Sequence, residues 1–309
     1  MQPFRFAIQM EGASSGRAWR DRARQIESLG YSTLYVPDHL GDQWGPMVAL
    51  TAAAEATTTL KVGALVYDND YRHPVVLAKE MATLDLLSEG RLEVGLGAGW
   101  MRSDYDQSGI AYDEPAVRVA RFEEAVQIIE ALWVDGTCTF TGRHYKVDGA
   151  VGMPRPFRQP RPTLVLGGGG RRVLGVAARH ADVVGVNADL RAGHVGPEVA
   201  ASVTAEHFDE RIGWIRASAG DRFAGLELQV LAFVAAITDD RQSMAEAIAP
   251  GFGLTAEAAL EVPMVVVGTV DEVCETLQAR RERYGFSYYV LHEQDIQPFA
   301  PVVARLAGT

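Results

Sequence analysis

Residues 60–97 read LKVGALVYDNDYRHPVVLAKEMATLDLLSEGRLEVGLG, and this stretch decides the fold. Leu60–Val66 and Leu92–Gly97 are short apolar runs of strand character. Between them Leu77, Met81 and Leu84 recur at helical spacing, so an amphipathic helix joins two strands. Strand, helix and strand in that order imply parallel pairing, because the crossover helix returns the chain to the same end of the sheet.

The alternation extends in both directions. Phe4–Gln9 and Thr33–Val36 precede it, and Thr163–Gly167, Asp182–Asn187, Leu226–Ile237 and Ser287–His292 follow, which makes eight candidate strands. Helical faces lie between them: Trp19, Ala23 and Ile26; Phe122, Ala125, Ile129 and Leu132; Val273, Leu277 and Tyr284. The last helix opens with Thr269-Val270-Asp271-Glu272, a capping-box signature. Eight such units in 309 residues predict an α/β fold, a closed (β/α)8 TIM barrel, whose usual size is about 250 residues plus insertions. An open doubly wound sheet would want Gly-x-Gly-x-x-Gly after its first strand, and Gln9-Met10-Glu11-Gly12 offers none. The surplus falls into insertions after strands 4, 6 and 7 (residues 98–116, 189–200 and 238–264). A short hairpin, Thr137–Phe140 with Tyr145–Val147, and a Pro-rich connector precede strand 5. No Gly/Ser linker divides the chain, so residues 1–309 read as one domain.

Composition narrows the function. A hydrophobic content of 48% and a charged content of 22% suit a folded soluble protein. The longest apolar stretch, Val230–Ile237, is too short to cross a bilayer, and no basic leader precedes Phe4, so a cytoplasmic location without a membrane partner is expected. Cys138 and Cys274 stand far apart, which disfavours a disulfide framework or a zinc site. The seven histidines form no His-Glu-x-x-His, so no catalytic metal is expected. A net charge of −11 argues against nucleic acid as a partner, whereas local arginines can still hold an anionic small molecule.

In a barrel of this kind the loops after the strands build the functional face. They carry Asp38, His39 and Trp44 after strand 2, and Tyr67 to Pro74 after strand 3. Gly97, Ala98, Gly99, Trp100 and Tyr105 follow strand 4, Asn187 follows strand 6, and His292 with Glu293 follows strand 8. Strand 5 runs into Gly167-Gly168-Gly169-Gly170-Arg171-Arg172 and then directly into a helical pattern. Bare backbone N–H groups at a positive helix terminus, with fixed arginine charge beside them, favour a phosphate site over a merely flexible turn. His39 is the preferred acid–base group, since an imidazole titrates near neutrality and Asp38 precedes it; His292 is the next. Trp44, Tyr67, Trp100 and Tyr105 form an aromatic rim suited to a planar or apolar substrate.

The run Tyr71-Arg72-His73-Pro74, Leu77 through Leu92 and Gly95-Leu96-Gly97-Ala98-Gly99-Trp100 resembles the luciferase-like monooxygenase superfamily. More narrowly, it resembles the deazaflavin F420-dependent oxidoreductases within it. The likeness continues through Gly109-Ile110, Arg121-Phe122-Glu123-Glu124-Ala125, the glycine run and Gly268-Thr269. It implies coenzyme F420, with FMN as the alternative, and hydride transfer to an activated C=C, C=N or related group of a small-molecule substrate. A flavin monooxygenase and a non-catalytic flavin-binding protein are the other readings. Asp38 and His39 would lie close to the deazaflavin, and a non-prolyl cis peptide near Ala64-Leu65 would press on its ring. Gly97, Ala98 and Gly99 would admit its side chain, and Gly168, Gly169, Gly170 and Arg171 would hold its phosphate. Trp100 departs from the sugar-phosphate dehydrogenase branch, which has a glutamate acid there. Trp44 departs in spacing, one residue farther from His39. A homodimer is also implied.

Overall fold

In a computed structural model that describes residues 2–309, eight strands close on themselves. They are β1 (Arg5–Gln9), β2 (Thr33–Val36), β3 (Lys61–Ala64), β4 (Leu92–Gly97), β5 (Thr163–Gly168), β6 (Val183–Val186), β7 (Glu227–Leu231) and β8 (Phe286–His292). Every neighbouring pair is parallel, and β3 pairing with β4 completes the ring. The predicted (β/α)8 barrel is the observed fold.

Two apolar layers follow from strand alternation, because successive side chains point to opposite faces. Phe6, Ile8, Leu34, Val62, Val94 and Leu164 pack outward against helix residues such as Trp19, Leu77, Met81, Phe122 and Leu277. Ala7, Tyr35, Val165, Val183, Tyr288 and Val290 form a separate cluster with no helix residue in it, the filling of the barrel. Leu65 and Leu231 pack on that filling and belong to the floor of the cavity above.

The filling is polar at its centre. Glu93, fully buried on β4, accepts hydrogen bonds from the Tyr35 and Tyr288 hydroxyls at 2.5 and 2.9 Å. Its other oxygen meets Arg5 at 2.7 Å and Lys61 at 3.0 Å. Burial would raise this carboxyl, but the charges of Arg5 and Lys61 and the hydrogen bonds from Tyr35 and Arg5 outweigh it and bring it to about 2.

The predicted strand Leu226–Ile237 is two strands. Glu227–Leu231 stays in the barrel, and Val234–Ile237 leaves it to pair in parallel with Val265–Gly268, a strand that sequence reading did not mark. A continuous apolar run carries no sign of where one sheet ends and another begins. The insertions take shape as the helix Arg102–Ser108, the helix Pro197–Ala201, and the pair Arg241–Phe252 and Ala256–Glu261. The hairpin is antiparallel, Thr137–Thr141 with Lys146–Val151. No helix among the described residues is long and apolar enough to cross a membrane.

Candidate active site

A cavity of about 550 Å³ opens at the C-terminal ends of the strands. Its wall includes Asp38, His39, Leu65, Gly97, Ala98, Gly99, Trp100, Gly168, Gly169, Gly170 and Arg171. Eleven residues drawn from four loops are thus brought together as their place after the strands predicted.

β2 delivers Asp38 and His39, but the two side chains take different partners. The Arg72 guanidinium grips Asp38 with both terminal nitrogens, Nη2 reaching Oδ1 at 3.0 Å, and the Asp68 N–H donates to Oδ2 at 3.0 Å. A guanidinium fork matches a carboxylate, and both Asp38 oxygens are engaged by groups other than the imidazole. The expected Asp38–His39 pairing is therefore replaced. Asp104, buried on the helix Arg102–Ser108, lies 2.7 Å from His39 Nδ1 and also accepts the Tyr71 hydroxyl at 3.1 Å. With Nδ1–H held by Asp104, Nε2 is the ring nitrogen free to act in the cavity. The imidazole meets Trp100 edge to face at 5.6 Å.

The other side of the cavity gathers backbone N–H groups and arginines. Gly170 begins the helix Arg171–His180 without a capping side chain, so its first N–H groups face outward unclaimed by a cap. Gly169 is required there, since a Cβ would lie 1.9 Å from the Ala188 carbonyl oxygen. Arg211 fixes the loop from behind, donating to the Gly169 and Ser202 carbonyls at 3.0 and 2.7 Å. Arg118, only 2% exposed, also lines the cavity and stacks over Tyr112 at 4.2 Å. It donates to the Asp113 carbonyl, while its Nε has no partner. A buried guanidinium with an orphan donor and no carboxylate in hand is set to take an anionic ligand.

Five expectations are corrected, and a sixth, the non-prolyl cis peptide, is present close to its expected place. Trp44 packs against Trp19, ring centres 5.4 Å apart and tilted, and lies outside the cavity wall. Tyr67 is buried beneath Arg72, its hydroxyl 4.0 Å from Met47 Sδ. Tyr105 is buried with its hydroxyl on Asp68 and Asp70. His292 opens the short turn Glu293–Asp295, its N–H donating to Asp295 at 3.0 Å. Large rings gain more by filling the packed wall than by standing open at a mouth. Ala64 is fully buried behind the wall, and the non-prolyl cis peptide joins Leu65 to Val66, one residue beyond the expected place.

Sequence reading missed Asp68, Arg72, Asp104, Arg118 and Gln229. Asp68, Arg72 and Asp104 lie in loops already marked as functional, where a buried charge is itself a signal. Arg118 and Gln229 sit within a helix and a strand, and only the fold turns them inward.

Comparison with known proteins agrees with this architecture. A reductase of tetrahydromethanopterin from Methanopyrus kandleri, dependent on coenzyme F420, superposes with a TM-score of 0.76 at 18% identity, covering 99% of each chain. An F420-dependent glucose-6-phosphate dehydrogenase of Amycolatopsis mediterranei is 31% identical over 155 residues, 48% of this chain and 46% of that protein. An FMNH(2)-dependent dimethylsulfone monooxygenase of Pseudomonas fluorescens is 30% identical over 164 residues, 52% of this chain and 44% of that protein. The chain thus spans about half the length of these two curated relatives. The profile of the luciferase-like monooxygenases matches residues 1–288, nearly the whole barrel that carries the cavity, and the chain belongs to that family.

Proposed function

We propose that the protein is an F420-dependent oxidoreductase, moving a hydride between the deazaflavin and an activated C=C, C=N or related group of a small molecule. The observation that carries this reading is the pairing, in one cavity, of an anion cradle with an imidazole held by a buried carboxylate. Gly168, Gly169, Gly170, Arg171 and the orphan Nε of Arg118 would hold the cofactor's phosphate, and Leu65 and Gly97 to Gly99 would flank its ring. The cofactor, when bound, supplies the hydride chemistry. His39 would present Nε2 to the reacting group, Asp104 fixes the ring, and the apolar floor of Leu65, Val165 and Leu231 excludes water. Relatives that use F420 and FMN both support a cofactor of this class, and the narrower sequence resemblance favours F420.

The test is a parallel binding titration with F420 and FMN, with Gly170→Asp as control. A side chain at Gly170 meets nothing within 4 Å, and an aspartate there would cap the helix itself. The variant should fold as stably as the parent and lose roughly 100-fold in F420 affinity, since about 3 kcal/mol of charge-assisted phosphate contact is removed. Tight FMN binding with no response to F420 moves the assignment to the monooxygenase branch.

A further inference from the structure

Four carboxylates cluster at one side of the cavity: Asp38 and Asp68 in its wall, Asp70 behind it sharing the Tyr105 hydroxyl with Asp68, and Asp104 behind it holding His39 and Tyr71. Three have taken a basic partner. Arg72 holds Asp38, His39 holds Asp104, and Arg121 holds Asp70 with Nε at 2.7 Å and Nη2 at 2.8 Å. Arg121 is shared with Asp113 at 2.8 Å. Asp68 has no cation within reach among the described residues, yet it is buried and lines the cavity. It is also well placed there: it pairs in register with Gly97 at the end of β4, and its oxygens lie beside Gly99, where a Cβ would come within 2.6 Å of Oδ2.

The hydrogen bonds around Asp68 call for one more proton. Its Oδ1 accepts the Asp70 N–H at 2.8 Å. The Tyr105 hydroxyl lies 3.1 Å from Asp68 Oδ2 and 3.0 Å from Asp70 Oδ2, and one phenolic hydrogen cannot serve both. A proton on Asp68 completes the set: Asp68 donates to Tyr105, and Tyr105 donates to Asp70. Electrostatics point the same way. Burial pushes Asp68 up to about 7, with the Asp70 and Asp38 charges adding to the rise against the Asp70 N–H and Tyr105 hydrogen bonds. Tyr71, bound to Asp104, and Arg118, 5.9 Å from the Tyr105 ring centre, are further ionisable groups in this packing.

We propose that Asp68 is the proton donor of the site, a neutral carboxylic acid kept so by neighbours whose charges are already matched. The proposal rests on the oxidoreductase reading. There a bound reduced deazaflavin would supply the hydride to one atom of the acceptor double bond, and the Asp68 O–H would give its proton to the other. The acceptor would gain two electrons and two hydrogens at the cofactor's expense, and water entering the cavity would reprotonate the carboxylate. In the reverse direction the same carboxylate takes the proton. His39, held at Nδ1 by Asp104, then orients the acceptor through Nε2.

The experiment is an infrared titration of the cofactor-free protein between about pH 5 and 9, compared with Asp68→Asn. The asparagine keeps an acceptor for the Asp70 N–H and removes only the acid. The parent should show a protonated-carboxyl band at pH 6 that fades through pH 7 and is lost in the variant. Oxidised F420, whose binding is read from its own absorbance, should shift that band. Identical spectra for parent and variant at pH 6 overturn the proposal. A band that F420 binding leaves unmoved also overturns it, since the carboxyl would then be sealed from the ligand. If neither F420 nor FMN binds, the functional reading fails and takes the donor role with it, while the titration still reports the protonation of Asp68.

Discussion

His39 owes its orientation to Asp104, sixty-five residues away in sequence and 2.7 Å away in the fold. Asp104→Asn keeps an acceptor for Nδ1–H but replaces a carboxylate partner with a weaker neutral one, so the ring is held less firmly. Turnover on an acceptor found by screening with reduced F420 should fall about 100-fold, the order of loss when a positioning group is displaced by about 1 Å. Cofactor affinity, read in the same preparation by titration, should change little. Arg72 has a different duty. Arg72→Met leaves the Asp38 carboxylate buried and unpaired, which should destabilise the protein by about 3 kcal/mol in urea unfolding. Adding Asp38→Asn should restore much of the loss, because the uncompensated charge goes with it. These pairs mark the limit of sequence reading at the site. His39, Trp100 and the glycine run were legible from their place after strands, since a barrel puts such loops on one face. The partners were not: Asp38 stands next to His39 in sequence, and only the folded geometry gives it to Arg72.

The strands were legible almost residue for residue where an apolar run is bounded by turn residues, as at Thr33–Val36 and Leu92–Gly97. They were not legible where two sheets share one run, as at Leu226–Ile237, or where a single valine run, Val265–Val267, lay inside what read as an insertion. Nor does a lone glutamate in β4 announce that Arg5 from β1, Lys61 from β3, Tyr35 from β2 and Tyr288 from β8 converge on it. That convergence ties acid stability to the barrel's closure. Glu93 is brought from the ordinary 4.5 to about 2, so the folded state releases this proton more readily than the unfolded chain. Its contribution is therefore complete above the unfolded value and disappears as pH falls through the folded one. The difference corresponds to about 3 kcal/mol. Urea unfolding at pH 7, 5 and 3 should show roughly half of this share lost between pH 5 and 3 in the parent, the rest going as pH falls through about 2. Glu93→Gln should start lower at pH 7 and lose correspondingly less on acidification. An equal loss in both proteins would place the acid sensitivity elsewhere.

The barrel buries its sheet on both faces, yet some of its outer helices keep apolar side chains in the open. Val48, on the helix Pro46–Ala56, is 78% exposed, and Val76, on the neighbouring helix Pro74–Leu87, is 52% exposed. Leu86 and Leu87 at the end of the second helix are exposed as well. Single exposed apolar residues are ordinary, but several on two adjacent helices are what a self-complementary interface needs. If these helices form the homodimer that the family resemblance implies, the copies would have to bury at least about 1,200 Å² between them. Light scattering on a size-exclusion column should then give twice the mass of one chain. The double variant Val48→Glu, Val76→Glu places two carboxylates per copy against their symmetry mates, which costs several kcal/mol on a desolvated face. It should run as a monomer at the same concentration. Both substitutions are on the surface, so the melting temperature of the isolated chain should move little, and F420 affinity should hold if each cavity is complete within one copy. A dimer that survives the double substitution would move the interface to another face. A monomeric variant that no longer binds F420 would show that the second copy supports the cavity.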